Sequence, residues 1–278
     1  MIGHNIKKEY NDNGFVIVRN AIDPDLANEV KNHVLWLGEK YPDIRPEAFH
    51  HHLLIHDPFI HHLLKFDRLL KIVEKIIGPN IALFGAHYIA KRPYDGKPVA
   101  WHQDGSYWPL EPMDVVSLWV AGTSSTVKNG CMRVIPSSHT IKLKHTDTYQ
   151  EHNLLSRGQE IDAEVVESKA VDIELSAGQM SLHHVGIVHG SNPNRSSKRR
   201  VGFAVRYIAS DVRQTLGPRD FATLVRGKQT HDYWELEPRP KAELDPEAIA
   251  YHASVCEIQG KMLYAGATIE PFSPRSKN

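Results

Sequence analysis

Two imidazoles and a carboxylate capable of holding one metal ion stand in two short segments, Trp101-His102-Gln103-Asp104-Gly105 and His189-Gly190-Ser191. Such a donor set occupies one face of a metal and leaves the other open, which is what Fe(II) needs to take up a chelating ligand and O2. His102 and Asp104 lie two apart, so in extended chain their side chains point to the same side of a strand end. The third ligand must come from elsewhere, and His189 is well placed at the end of a later strand. His183 and His184 are rivals for that place.

Arg200 follows His189 by eleven residues and begins an alternating run. A guanidinium grips a carboxylate through two parallel hydrogen bonds and keeps its charge in an apolar barrel. Period two puts Arg200, Gly202, Ala204 and Arg206 on one face and Val201, Phe203, Val205 and Tyr207 on the other. If Arg200 points inward, so does Arg206, with small residues between them leaving room for a ligand. Arg206 then either meets an anionic group of the substrate or is neutralised by a nearby carboxylate. Tyr107 and Trp108, directly after the metal segment, offer an apolar wall or a cation-π face for an ammonium group, or else pack under the neighbouring loop. His87, on the same parity as Ile89 and Lys91, is a further lining candidate.

These residues need a scaffold, and the patterning supplies one. Asp23-Pro24 and Asp57-Pro58 are helix starts, a third helix runs through Leu69, Leu70, Ile72, Val73, Ile76 and Ile77, and Gly78-Pro79 ends it. Short apolar runs follow at 81 to 89, 115 to 120, 132 to 135, 173 to 175, 179 to 183 and 201 to 208, separated by turn residues. That succession predicts a mainly β jelly-roll core with N-terminal helices rather than alternating βαβ units. The expected organisation is a single domain: a helical buttress over 1–80, the jelly roll over 81–210, and a C-terminal extension over 211–278 that serves as lid or interface.

The chain has 278 residues, 41% hydrophobic and 24% charged, enough for a sizeable core. Lys+Arg and Asp+Glu both number 33, so no electrostatic footprint for nucleic acid or an anionic membrane is present. The absence of a long apolar run points to a soluble, cytoplasmic protein, a monomer or homodimer that acts on a small molecule. Cys131 and Cys256 are the two cysteines, too few for a disulfide framework or a thiolate zinc site, and Cys131 reads as a small core residue. The histidine-rich stretch His50-His51-His52 with His56, His61 and His62 interleaves with leucines and reads as a partly buried helix rather than a metal tract.

Several ordered motifs together resemble the phytanoyl-CoA dioxygenase family of Fe(II)/2-oxoglutarate oxygenases. They are Gly14-Phe15-Val16-Ile17-Val18, Gly78-Pro79-Asn80, His102-Gln103-Asp104, Asn129-Gly130-Cys131, Val134-Ile135-Pro136 with His139, and His189-Gly190-Ser191-Asn192-Pro193-Asn194 with Ser196 and Arg200. The resemblance spans Tyr10 to about Ile208. It implies a double-stranded β-helix of cupin-like type, iron held by His102, Asp104 and His189, and 2-oxoglutarate chelating that iron. Arg200 and Ser191 are then expected to hold the far carboxylate, with Trp119 beside the cosubstrate and His50 or His52 at the site mouth. The implied chemistry is metal-centred, with no separate acid or base. O2 is consumed, succinate and CO2 are released, and an unactivated C–H bond is hydroxylated.

Because Asp104 is a carboxylate where halogenases of this type carry a small residue, hydroxylation is favoured over halogenation. The expected substrate is a small polar or zwitterionic metabolite, such as an amino acid derivative or an aminophosphonate. The alternatives are an acyl-CoA or natural-product hydroxylase of the same family, a metal-dependent cupin-like hydrolase or isomerase, and a non-catalytic 2-oxoglutarate sensor.

Overall fold

The structure, a computed structural model, describes residues 5–43, 45, 57–106, 108–148, 153–154, 159–216, 219–242 and 245–263. Its N-terminal part contains helix α1 (Ile6–Asn13), strand β1 (Phe15–Val18), and helices α2 (Pro24–Lys40), α3 (Pro58–Leu64) and α4 (Asp67–Ile77). The two Asp-Pro helix starts behave differently. Asp57 caps α3, its Oδ1 accepting from the amides of Phe59 at 2.8 Å and Ile60 at 3.2 Å. Asp23 makes no capping bond, and its carboxylate instead pairs with Arg68 at 3.1 Å. Gly78, at φ 85°, ends α4 in a conformation that suits a residue without a β-carbon.

The strands that follow are β2 (Ile81–Lys91), β3 (Val99–His102), β4 (Leu110–Glu111), β5 (Val115–Ala121), β6 (Met132–Val134), β7 (His145–Asp147), β8 (Gln159–Ile161), β9 (Val171–Ile173), β10 (Met180–His184), β11 (His189–Ser191), β12 (Arg200–Ala209), β13 (Arg213–Gln214), β14 (Asp220–Arg226) and β15 (Trp234–Leu236), before helix α5 (Pro246–Leu263). They form a seven-stranded sheet in the order β1-β10-β5-β12-β2-β14-β15 and a four-stranded sheet in the order β3-β11-β6-β9. The sheets face each other as a jelly roll. Ile89, Trp119, Ala121 and Ala204 of the large sheet share one core with Met132, Val134 and Ile173 of the small one.

The large sheet is covered on both sides, and β12 shows how. Its Val201, Phe203, Val205 and Tyr207 pack with α1, α2, α3 and α4, while Arg200, Gly202, Ala204 and Arg206 face the barrel. A polar clamp fixes the helical layer to that sheet: His33 of α2 bonds the Tyr88 hydroxyl at 2.7 Å through Nδ1 and Asp57 at 3.1 Å through Nε2. The expected helix and jelly-roll segments are therefore present, but the sheet does not respect their limits. β1 joins it at one edge, and β14 and β15 extend it at the other. That part of the C-terminal extension is anchored by the Trp234 indole, which is buried and donates to the Val212 carbonyl at 2.7 Å.

Asn194 ties the turn before β12 to the end of β2. Its amide donates to the carbonyls of Arg92 at 2.9 Å and Lys198 at 2.8 Å, and its oxygen accepts from the Ser196 amide and hydroxyl, each at 2.9 Å. Asn194 is 1% exposed, so truncation leaves buried carbonyls without donors. Asn194→Ala should lower unfolding free energy by about 2–4 kcal/mol in urea titration, with an unchanged m-value.

Candidate active site

His102 is the last residue of β3 and lies opposite His189, the first residue of β11, in the small sheet. Asp104 does not continue the strand as the spacing argument supposed. It opens a short 3-10 turn over 104–106, and the turn brings its carboxylate beside both imidazoles. Ligand atoms from His102, Asp104 and His189 lie within 4.8 Å of one another, and all three residues are buried. The intervening Gln103 points away from them. Its side chain accepts from the Leu143 amide at 2.9 Å and donates to the carbonyls of Ile141 and Gly186, so it fastens neighbouring loops to the ligand turn.

The hydrogen bonds around the triad favour a cation. His102 Nδ1 donates to the Ala100 carbonyl at 2.8 Å, and His189 Nδ1 donates to the Ile187 carbonyl at 3.0 Å. In a neutral ring this leaves each Nε2 as a lone pair. Both Nε2 atoms face Asp104 Oδ1, at 3.2 Å from His102 and 3.9 Å from His189. Lone pairs gathered at such distances repel unless positive charge lies among them, so the donor set fits a divalent ion. Burial and then the neighbouring His102 hold His189 well below the usual imidazole range, which keeps it neutral as a metal ligand must be. Burial alone would push Asp104 up, but the Arg206 guanidinium beside it holds the carboxyl well below the usual range.

Arg200 and Ser191 are buried at the other end of this inner face. The Arg200 guanidinium donates to the carbonyls of Gly130 and Ile89 and lies 5.2 Å from the centre of the Trp119 ring. Trp119 reaches it by lying across Gly202, where an added β-carbon would fall 1.9 Å from the indole. Lys91 was missing from the sequence-derived site. It pairs with Arg200 in register, is fully buried, and donates to Ser191 Oγ at 2.7 Å. Burial and then Arg200 push its ammonium down to about 6. The alternation of β2 marked Lys91 as inward facing, but a buried lysine cannot be told from an exposed one by parity alone.

Arg206 meets a carboxylate, and that carboxylate belongs to the metal triad. Its Nη2 donates to Asp104 Oδ2 at 3.2 Å, and its Nη1 donates to His87 Nδ1 at 2.7 Å. Ser117, also missed, approaches the same Oδ2 at 3.5 Å. Trp108 packs edge-on against Phe84 at 5.3 Å, and Arg206 lies 5.8 Å from the centre of its ring, so a protein cation already uses the face considered for a ligand ammonium. Tyr107, His50 and His52 lie outside the described residues. Of the rival histidines, His183 sits 5.1 Å from the His189 ring, and burial pushes it down to about 4. His184 packs instead with His139 and Tyr10, outside the triad. Cys131 is buried and free, as expected.

Fold and site together define the class of non-heme, 2-oxoglutarate-dependent oxygenases built on a jelly roll. Comparison with known proteins narrows this: residues 10–202 match the phytanoyl-CoA dioxygenase (PhyH) family model, and the chain belongs to that family. It is similar to a probable alpha-ketoglutarate-dependent hypophosphite dioxygenase of Stutzerimonas stutzeri, 29% identical over 60% of each chain. It is also similar to the peroxisomal phytanoyl-CoA dioxygenase of Homo sapiens, 26% identical over 74% of this chain and 68% of the relative. Among solved structures, the apo form of the non-heme monooxygenase ThoJ superposes with a TM-score of 0.79 at 28% identity, covering 93% of this chain and 97% of the other. Fe(II) and 2-oxoglutarate are the cofactors of this class. No helix among the described residues is long and apolar enough to cross a membrane.

Two outcomes are expected. Anaerobic titration of metal-free protein with Fe(II), followed by calorimetry, should show one site that His189→Ala weakens by about 100-fold or more, because two donors no longer enclose the ion. Lys91 also makes stability depend on pH. The unfolded chain keeps this lysine protonated up to about 10.5 while the folded chain releases the proton near 6, so the unfolded state binds more protons in between. Urea stability of the metal-free protein should therefore rise from pH 6.5 to 9, and Lys91→Met should flatten the slope.

Proposed function

We propose that this protein is an Fe(II)/2-oxoglutarate-dependent dioxygenase that hydroxylates an unactivated C–H bond of a small anionic or zwitterionic metabolite, an amino acid derivative or aminophosphonate-like compound. The observation that carries the substrate class is Arg206, a guanidinium on the inner face of β12 that contacts the second oxygen of Asp104. Its Nε is buried and makes no hydrogen bond to protein. A resident cation at Asp104 Oδ1 would share that carboxylate's charge and leave Arg206 with positive charge to offer an anion. The likeness to an enzyme named for hypophosphite, a small phosphorus oxyanion, supports the same class.

The side chains have distinct tasks in this reading. His102, Asp104 and His189 would hold the metal, each backed by a bond on its far side. Iron and 2-oxoglutarate, when bound, supply the oxidising chemistry from O2 with release of succinate and CO2. Arg200 and Ser191 grip the far carboxylate of the cosubstrate, and Trp119 walls its side. The protein's contribution is orientation and exclusion of water: apolar side chains of both sheets, among them Ile89, Val134 and Ile173, close the barrel around the polar groups.

Succinate formation by the Fe(II)-loaded protein, measured with a panel of small zwitterions, 2-aminoethylphosphonate and hypophosphite, tests this assignment. At least one compound should raise the rate above the uncoupled background, which itself separates an oxygenase from a zinc-type hydrolase or a silent sensor. Arg206→Gln should then raise KM for that compound about tenfold or more while changing KM for 2-oxoglutarate by less than about twofold. No stimulation by any of them removes the substrate class.

A further inference from the structure

Lys91 and Arg200 are both inaccessible, at 0% and 1% exposure, and face each other as register partners on β2 and β12. An ammonium beside a guanidinium in a barrel is costly, and burial and then Arg200 accordingly push Lys91 down to about 6. The acidic group acting on Lys91, Asp95, is already paired with Arg45. Arg200 donates to the backbone carbonyls of Gly130 and Ile89. Lys91 Nζ reaches Ser191 Oγ at 2.7 Å, the Ser191 carbonyl at 3.4 Å and the Asn192 carbonyl.

The bond to Ser191 fixes a direction. In its ammonium form, which a bound anion would favour, Lys91 can only donate, so the serine oxygen then accepts and the single hydroxyl proton is left for another acceptor. The same lysine holds the backbone at 191 and 192, which sets where that proton can point. A guanidinium and a hydroxyl donor, with an ammonium behind them, suit a carboxylate.

We propose that Lys91 is a positioning residue for the distal carboxylate of the cosubstrate: it fills the acceptor side of Ser191, turns that hydroxyl toward the ligand and places a second buried cation beside Arg200. This rests on the reading that Arg200 and Ser191 hold 2-oxoglutarate. It also makes cosubstrate binding draw in a proton near neutral pH, because a bound anion restores the lysine charge that burial suppresses.

Pyruvate carries the same metal-chelating end as 2-oxoglutarate and lacks the distal carboxylate, which makes it the discriminating probe. Both ligands are titrated anaerobically into Fe(II)-loaded protein, following visible charge-transfer absorption, for the wild type, Lys91→Met, Lys91→Gln, Ser191→Ala, the Lys91→Met/Ser191→Ala pair and Arg200→Gln. Lys91→Met should weaken 2-oxoglutarate about tenfold and pyruvate less than about twofold, and its effect should shrink to about threefold or less when Ser191 is already alanine. Lys91→Gln, which preserves a donor of similar length, should recover part of the loss and serves in place of the methionine variant if that fails to fold. Equal losses for both ligands, or no loss for either, overturn the proposal. If Arg200→Gln leaves 2-oxoglutarate binding unchanged, the cosubstrate reading itself fails, whatever Lys91 does.

Discussion

The barrel closes around one buried carboxylate. Asp104 is 1% exposed, and an isolated ionised carboxyl in such a place would cost several kcal/mol. The groups gathered on it come from four strands, His102 from β3, His189 from β11, Arg206 from β12 and Ser117 from β5, and of these Arg206 and Ser117 donate to it. The two sheets can approach only if they bring those groups together, so assembly of the site and closure of the jelly roll are one requirement. Division of labour between the carboxylate oxygens follows directly. Oδ1 looks toward the imidazoles, and Oδ2 is engaged by Arg206 and Ser117, which leaves one oxygen oriented for a metal.

Cross-strand register then determines what surrounds the centre. Across the large sheet, His183, Ser117 and Arg206 are successive partners on β10, β5 and β12, and the next inward row contains Ser181, Trp119, Ala204 and His87. The row beyond carries Ala121, Gly202 and Ile89, and Lys91 pairs with Arg200 at the end. Polar groups thus occupy both ends of the inner face and smaller or apolar ones its middle. Gly202 is needed in that middle for a steric reason, because the Trp119 indole occupies the volume a β-carbon would take.

Much of this was legible in the sequence where a pattern has one physical meaning. Period two in β12 correctly separated Arg200 and Arg206 from Phe203 and Tyr207, since a slip by one residue would have buried both arginines among the helices. That His102, Asp104 and His189 would come together was readable from their donor types and order, although the turn at Asp104 was not, as two-residue spacing permits either an extended chain or a tight turn. Lys91, Ser117 and the polar clamp of His33, Asp57 and Tyr88 stayed hidden because their meaning comes from partners 13 to 100 residues away in the chain. The joining of β14 and β15 to the large sheet was hidden for the same reason: edge pairing depends on which backbone groups remain unpaired, and composition does not record it.

Arg206 explains why the class of reaction can be read with more force than the identity of its substrate. The side chain is held by three neighbours of different character: the Asp104 carboxylate, the His87 ring nitrogen and the Trp108 face. Only a planar, multiply donating cation can satisfy them together, so lysine would be a poor replacement. Those contacts are demanded by the site whether or not an anion ever arrives, because Asp104 must be compensated in any case. The gathering of His102, Asp104 and His189 is therefore overdetermined by the fold, whereas none of these contacts depends on a substrate.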